Sequence, residues 1–268
     1  MVAQRKLMPS AQGKSMVSAK GKLMASPVVP VVLGVAVLLV VWQGAIWLFK
    51  IPPFVLPSLG SIVQHAFTDT GRLMAALLAT LGEALGGYAL GSVLGLLLAV
   101  VLLLAPPLER IVMPLAVAVN AVPTVAYAPL FLIWFGLGAA SKIALVALAV
   151  GFTMLVNALH GLKQADQAAV NLMRSFGAGQ MKIVWRLRLP VAMPSVVTAL
   201  RIGVPRSMIV AIVGEMLGAY AGLGRMIYES TQQVDLLSVW SAVLVASVAS
   251  MVFYGLLVWI DQKLVWWR

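Results

Sequence analysis

The sequence has no cysteine, eight acidic residues and two histidines among 268 positions, and only 10% of it is charged. Without cysteine there are no disulfides, thiolate metal sites or cysteine nucleophiles. His65 and His160 are far apart and no cluster of ligand residues gathers around either, which argues against a metal site. The shortage of charge excludes more. A soluble domain carries about 25% charged residues, whereas this chain is 62% hydrophobic with a mean hydropathy of +1.02. It cannot cover a globule of that size with water-compatible surface. The reading is a multi-span membrane protein, and soluble enzymes, nucleic-acid binders and secreted scaffolds are largely excluded.

A helix needs about 20 apolar residues to cross roughly 30 Å of hydrocarbon. The stretches 28–49, 84–108, 111–141, 143–162 and 236–260 are free of charge, and 194–217 is apolar apart from Arg201, Arg206 and Glu215. Six transmembrane helices is the simplest count. The run 111–141 is too long for one straight span, and Pro123, Pro129 and Gly136–Gly138 predict a helix followed by an outer re-entrant turn. Because the apolar runs are continuous, not alternating, a β-barrel is not expected. The first apolar core has 22 residues and no small-residue cleavage site after it, so a cleavable signal peptide is not expected either.

The net charge of +11 comes from 19 basic residues. With the N-terminus inside, six spans place 13 of these on the cytoplasmic side and 4 outside (Lys50, Arg72, Lys142 and Arg225), leaving Arg201 and Arg206 within a span. That asymmetry puts both termini in the cytoplasm. Residues 1–26 form a basic tail, expected to be disordered or to lie along anionic headgroups, and 27–268 form the transmembrane domain. The tail repeats Lys-Leu-Met at 6–8 and 22–24. Its Gln12-Gly13-Lys14-Ser15 looks like half of a phosphate-binding loop, but Met8 stands where the leading glycine belongs, so nucleotide binding is not expected.

The cytoplasmic loop at about 163–190 is the most informative segment. Asp166 is suited to cap a helix that runs to Gly177, which supplies a break. A second short helix follows, with Met181 and Trp185 on one stripe and Lys182 and Arg186 on another. Pro190 and Pro194 are expected to end it and admit the next span. The result is a basic bracket parallel to the membrane. It suits either a docking surface for a cytoplasmic partner or an interfacial helix among headgroups, and spacing alone does not separate the two.

The loop resembles the coupling loop of binding-protein-dependent ABC importer permeases. Their motif runs Glu-Ala-Ala, three residues, Gly, nine residues, Ile, one residue, Leu-Pro. Aligned on Gly177, Leu187 takes the Ile position and Leu189-Pro190 the Leu-Pro. The run Arg174-Ser175-Phe176-Gly177-Ala178 agrees with the family. Asn171-Leu172-Met173 departs from Glu-Ala-Ala, so no carboxylate is available there to pair with an ATPase. Val122-Pro123 through Gly136, Ser141-Lys142-Ile143, and Gly214-Glu215-Met216 through Gly222-Leu223-Gly224 resemble the nitrate/sulfonate/taurine branch. That branch includes pyrimidine-precursor permeases, whose loops often read Leu-Met-Arg-Ser as 172–175 do here. The resemblance covers nearly all of 28–265.

The resemblance implies an all-α integral membrane protein with the type I importer permease fold, in a bacterial inner membrane. It further implies a second permease copy, two ATP-binding cassette subunits docked at the bracket, and a periplasmic or lipid-anchored solute-binding protein. ATP and Mg belong to the partner subunits. The chain itself binds no cofactor, does no chemistry and meets no nucleic acid; membrane lipid surrounds it. The coupling residues would be Asn171, Leu172, Met173, Arg174, Ser175, Phe176, Gly177, Ala178, Leu189 and Pro190. The solute would be small and anionic or polar, sulfonate-, taurine- or nitrate-like or a pyrimidine precursor.

Within the spans, Gly87, Gly91 and Gly95 recur every four residues, with Gly82 and Gly86 as a second pair, a spacing that lets another helix approach closely. A charge at a helix centre costs about 2.5–3.5 kcal/mol on insertion scales, so it usually faces a cavity or a partner. Arg201 is read as an interfacial, snorkelling side chain. Arg206, about 7.5 Å deeper, is the better candidate to line a pathway; Glu215, about 13.5 Å beyond it and out of its direct reach, is a further pathway-lining candidate. Asn120, Thr124 and Tyr127, spaced i, i+4, i+7, share one helix face as pathway lining or as interhelical hydrogen bonding. Asn157 reads similarly. Glu83 is left without a role, because the family frequently carries a basic residue there. Trp259 and Trp266-Trp267-Arg268 read as an interfacial anchor. An intramembrane transferase or protease would need clustered acids, a Ser/His pair or a metal site. A self-standing secondary transporter or channel would be expected to show internal repeats or a proton-relay acid, and no convincing repeat is found.

Overall fold

The computed structural model describes residues 28–264. The basic tail with its Gln12–Ser15 fragment, and Trp266-Trp267-Arg268, lie outside the described residues. The described chain is helical, without a strand among the described residues. It divides into a unit ending at Leu59 and a larger one from Gly60.

The first unit is built on α1 (Val28–Phe49), which carries no charged residue. Lys50, at φ 48°, turns the chain out of the helix ahead of Pro52 and Pro53. The following loop folds back on α1, with Trp42 Nε1 donating to the Pro57 carbonyl at 3.2 Å and the Leu59 amide donating to Gln43 Oε1 at 3.4 Å.

The second unit begins with the short helix α2 (Leu59–Thr68) and the long α3 (Thr70–Leu104). Then come α4 (Pro106–Ala121), a 3-10 turn at Thr124–Tyr127, α5 (Ala128–Phe135) and α6 (Ala139–Lys163). After α7 (Gln167–Ser175), α8 runs from Gln180 to Leu217, and α9 (Leu223–Gln232) and α10 (Leu236–Leu264) complete the chain. Helices α3, α6 and α8, with Leu236–Trp259 of α10, are long and apolar enough to cross a bilayer. The run broken at Pro123 forms a fifth crossing if α4 and 124–135, bent by 91°, act as one span. The expected six are reached only if α1 also crosses.

The bend has a local cause. Val122 precedes proline and is extended (φ −79°, ψ 134°), because proline's ring disfavours helical geometry in the residue before it. The chain re-enters helical geometry when the Ala126 amide donates to the Pro123 carbonyl at 2.8 Å.

Helix α6 is the centre of the second unit. Lipid tails are as apolar as leucine, so helices in a membrane associate through close packing and not through exclusion of water. The glycine stripe of α3 provides that packing. A Cβ at Gly91 would stand 2.6 Å from the Ala147 carbonyl oxygen, and one at Gly95 would stand 2.4 Å from that of Gly151. On another side α8 joins the same core, where Val146, Ala149 and Val150 of α6 meet Val204, Met208 and Ala211. Tyr88 links three helices: its hydroxyl donates to the Leu200 carbonyl at 3.1 Å, and its ring stands edge-on to Phe253 at 5.3 Å.

One expectation is corrected. Pro190 and Pro194 do not end a separate short helix, since α8 is continuous over 38 residues. Its wide turn at Val184–Arg188 carries i→i+5 hydrogen bonding. A proline removes one amide and crowds the carbonyl four residues back, and widening the preceding turn makes room for it. The bracket's second arm is therefore the overhanging start of α8, a helix of about 57 Å against a hydrocarbon layer of roughly 30 Å.

Candidate functional site

The bracket has a folded core of its own. Asp166 caps α7, its Oδ1 accepting from the Ala168 amide at 3.1 Å. At the other end Phe176 leaves the helix and Gly177 takes φ 75°. The Ala178 amide donates to the Met173 carbonyl at 3.0 Å and the Gly177 amide to that of Arg174 at 2.9 Å. This pair of crossed bonds is the Schellman closure, which places the residue after the cap in left-handed geometry and so favours glycine there. Ala165, Val170 and Ile183 are buried beneath the turn, with Met173, Ala178 and Leu187 packed against them. Leu187, the residue at the motif's Ile position, thus ties α8 to α7.

The opposite side of the bracket is apolar and uncovered. Phe176 is 82% exposed, and Leu172, Met181 and Trp185 are also largely exposed. Asn171 is exposed and accepts a hydrogen bond from Gln167 Nε2 at 3.0 Å; Ser175 Oγ donates to the Leu172 carbonyl at 2.7 Å. Arg174 and Arg188 line a cavity of about 250 Å³ together with Leu103, Leu104 and Gln180. Arg188 also donates to the Leu162 carbonyl at 3.2 Å, and Lys163 pairs with Glu109 at 2.5 Å. These two contacts fix the bracket to the ends of α6 and α4. Leu189 and Pro190 lie within α8 at the root of the bracket.

Within the membrane-spanning part, Asn120, Thr124 and Tyr127 line a second cavity of about 370 Å³ whose other walls are apolar side chains of α3, α4 and α6. The Tyr127 hydroxyl donates to the Val119 carbonyl at 3.0 Å. Arg206 is half-buried, donating to Asn120 Oδ1 at 3.1 Å and to Thr153 Oγ1 at 3.3 Å. Its partners are neutral, and no carboxylate pairs with it among the described residues. Asn157 is half-buried, its Nδ2 bonded to the Thr153 carbonyl at 2.8 Å.

Glu215 has a different setting from the other candidates. It is fully buried, and its Oε2 accepts from Thr80 Oγ1 at 3.0 Å and from the Gly224 amide at 2.6 Å. Thr80 Oγ1 in turn accepts from the Leu223 amide at 2.8 Å. Glu215 thus anchors the turn between α8 and α9. Lys142, read from sequence as an outer-side charge, is 1% exposed and donates to the Leu137 and Gly138 carbonyls at 2.6 and 3.2 Å. Arg201 pairs with Asp261 across α8 and α10. Sequence reading missed that pair because 60 residues separate its members. His65 Nε2 lies 3.1 Å from Ser238 Oγ, and no cluster of three metal-binding side chains occurs among the described residues.

A long-helix membrane bundle with an exposed apolar bracket at one end and a mainly apolar cavity inside fits one class: a pathway subunit of a membrane transporter. Residues 91–266 match the family described as binding-protein-dependent transport system inner membrane component, and the chain belongs to that family. A probable ABC transporter permease protein of Haemophilus influenzae is 31% identical over 232 residues, spanning 87% of this chain and 95% of that protein. The formylaminopyrimidine transport permease protein ThiX of Halalkalibacterium halodurans is 34% identical over 86% of this chain and 92% of its own length. The taurine transport system permease protein TauC of Escherichia coli is 32% identical over 72% of both chains. The inward-facing MetNI methionine ABC transporter shares the fold, with a TM-score of 0.57 at 21% identity over 70% of this chain and 97% of the matched chain. The protein is thus a multi-pass inner-membrane permease subunit of a binding-protein-dependent ABC importer. It works with an ATP-binding subunit, which hydrolyses the ATP, and a solute-binding protein.

Proposed function

We propose that two copies of this chain form the pathway of an importer for a small polar organic solute bearing an anionic group, sulfonate- or taurine-like. The observation that carries the solute class is Arg206: a guanidinium at mid-span, held by Asn120 and Thr153 and not neutralised by any carboxylate among the described residues. Asn120 itself lines the 370 Å³ cavity, so the positive charge stands one hydrogen bond from that space. A planar guanidinium suits sulfonate or carboxylate oxygens, which it contacts with paired donors. The name of the relative TauC supports the reading. ThiX supports a pyrimidine precursor as the second reading, favoured by the mainly apolar cavity walls.

Two ATP-binding subunits dock on the exposed Leu172, Phe176, Met181 and Trp185, and the residues from Asn171 to Ala178 with Leu189 and Pro190 carry their movement into α8. Closure of the ATPase pair draws the two brackets together, and the continuous α8 transmits that motion as a rigid rod. Both termini are cytoplasmic and α1 is the sixth span, as the 13-to-4 distribution of basic residues suggests.

The test is reconstitution in vesicles with the ATP-binding subunit and the solute-binding protein. ATP-dependent uptake of taurine or an alkylsulfonate that falls in Arg206→Gln and is partly kept in Arg206→Lys supports the proposal. Uptake indifferent to residue 206 rejects the anion assignment, and uptake of an aminopyrimidine in its place favours the second reading.

A further inference from the structure

Four helix ends meet around the cavity of about 250 Å³ between the bracket and the end of α3. Its wall holds Leu104, the last residue of α3, and Pro106, the first of α4. It also holds Arg174, in the last turn of α7, and Gln180, the first residue of α8. A helix start carries about half a positive charge and a helix end about half a negative one. Starts and ends are equal in number here, so these partial charges offset one another. The field in the cavity is therefore set by side chains, and the charged ones in its wall are Arg174 and Arg188.

Both guanidiniums have N–H donors to spare. Arg188 uses Nη1 on the Leu162 carbonyl at 3.2 Å, which fixes its position. Its other nitrogens have no partner among the described residues, and none of them is sealed from solvent. Arg174 is exposed and makes no side-chain hydrogen bond or ion pair among the described residues. No carboxylate answers the two arginines. Asp166 stands at the far end of α7 as its cap, and Glu109 is taken by Lys163. Lys182 and Arg186 add further positive charge along the bracket. Two like charges that share one small, mainly polar space repel each other, and an anion between them relieves the repulsion.

We propose that this cavity binds a phosphate group, carried by an anionic phospholipid or free in solution, with Arg174 and Arg188 as its donors. A guanidinium presents its N–H groups as a planar fork that matches phosphate oxygens in pairs. The space is smaller than the roughly 300–1,000 Å³ of pockets for drug-sized molecules, which suits a single phosphate group. Its position also suits a lipid. The apolar run of α3 ends in the wall at Leu103 and Leu104, where hydrocarbon gives way to headgroups. Basic pockets between spans at the cytoplasmic surface bind anionic headgroups. A phosphate held there joins α7 to α8 across the bracket. The exposed Leu172, Phe176, Met181 and Trp185 take no part in the cavity wall, so the site stands whether or not an ATPase docks on them and whichever solute is carried.

The test uses the full-length chain, delipidated in an uncharged detergent. Native mass spectrometry follows retention of phosphatidylglycerol, and titration calorimetry follows inorganic phosphate, with chloride at equal ionic strength as the control. Arg174→Gln and Arg188→Gln each remove one charge from the cavity, whereas Arg186→Gln removes one from the bracket outside its wall. The expected result is saturable binding of one phosphate-bearing ligand per chain. Binding weakens by at least about tenfold in Arg174→Gln and Arg188→Gln and is unchanged in Arg186→Gln. Phosphatidylglycerol that inorganic phosphate does not displace identifies the lipid as the source. Inorganic phosphate that binds with the same dependence on the variants and displaces the lipid identifies the free anion. Arg174 has no partner to lose, so its variant decides the matter if Arg188→Gln does not fold. Failure of both ligands to bind the parent chain overturns the proposal. So does unchanged binding in Arg174→Gln, or an equal loss in Arg186→Gln, because the basic surface at large is then what attracts the anion.

Discussion

Arg206 on α8 reaches across to Asn120 at the end of α4, its guanidinium donating to Asn120 Oδ1 at 3.1 Å. The bond crosses from the longest span to the bent segment that walls the inner cavity. It fixes where the positive charge is presented. A hydrogen bond to a charged group contributes about 1.5–3 kcal/mol. Asn120→Ala is therefore expected to lower uptake of an anionic solute by about tenfold, since about 1.4 kcal/mol corresponds to a factor of ten. Arg206→Gln should lower it further. Uptake into reconstituted vesicles measures both, with the amount of inserted protein held equal.

Gly177 occupies left-handed backbone at φ 75° in the turn that closes α7. Placing a Cβ in that region costs roughly 1–2 kcal/mol, enough to open the turn and misplace Phe176. Gly177→Ala is expected to abolish solute-stimulated ATP hydrolysis by the assembled importer while the helical circular dichroism signal is retained. Normal stimulation would mean that the bracket does not transmit force.

The glycines of α3 separate into two kinds. A Cβ at Gly91 meets the Ala147 carbonyl oxygen at 2.6 Å, whereas one at Gly82 meets open space. Gly91→Ala forces α3 and α6 apart and is expected to destabilise by about 1–3 kcal/mol, the range for overpacking. Gly82→Ala is expected to be neutral or mildly stabilising, because alanine is the better helix former. Thermal unfolding in detergent should separate them in that order.

Asp235 sits just ahead of α10, accepting from the Ser238 amide at 3.2 Å and the Ser238 hydroxyl at 2.5 Å. Burial pushes its carboxyl up, but the bonds from Ser238 and the Leu237 amide, with His65 nearby, outweigh that and hold it below the usual aspartate range. The stabilisation is therefore fully present above the ordinary value near 3.9 and is lost as pH falls through the lower folded value. Asp235→Ala should cost about 1 kcal/mol at neutral pH, a normal cap effect, and the difference from the parent should vanish in acid. Unfolding midpoints at neutral and acid pH test this.

Much of the architecture was legible because it rests on local signals. Uninterrupted apolar runs marked the spans, Pro123 marked the sharp bend, and Asp166 with Gly177 marked both ends of α7. The glycine period of α3 correctly announced a close helix contact. The charges inside the bundle were not legible. Arg201 with Asp261, and Glu83 with Glu215 and Lys142, are brought together by tertiary packing across 59 to 132 residues, and no periodicity encodes such a meeting. Pro190 misled for a physical reason: a widened turn absorbs a proline without ending the helix.

The central claim is that Phe176 and its neighbours form the surface through which the ATP-binding subunit drives the permease. The chain has no cysteine, so Phe176→Cys introduces a single thiol into it. The measurement is cross-linking of that thiol, in the assembled importer in membranes, to cysteines placed along the membrane-facing surface of the ATP-binding subunit. The account predicts a permease–ATPase adduct from residue 176 whose yield changes when ATP is added. It predicts none from a thiol placed at Tyr220, at the opposite end of the second unit. An adduct from residue 220, or none from residue 176, would contradict it.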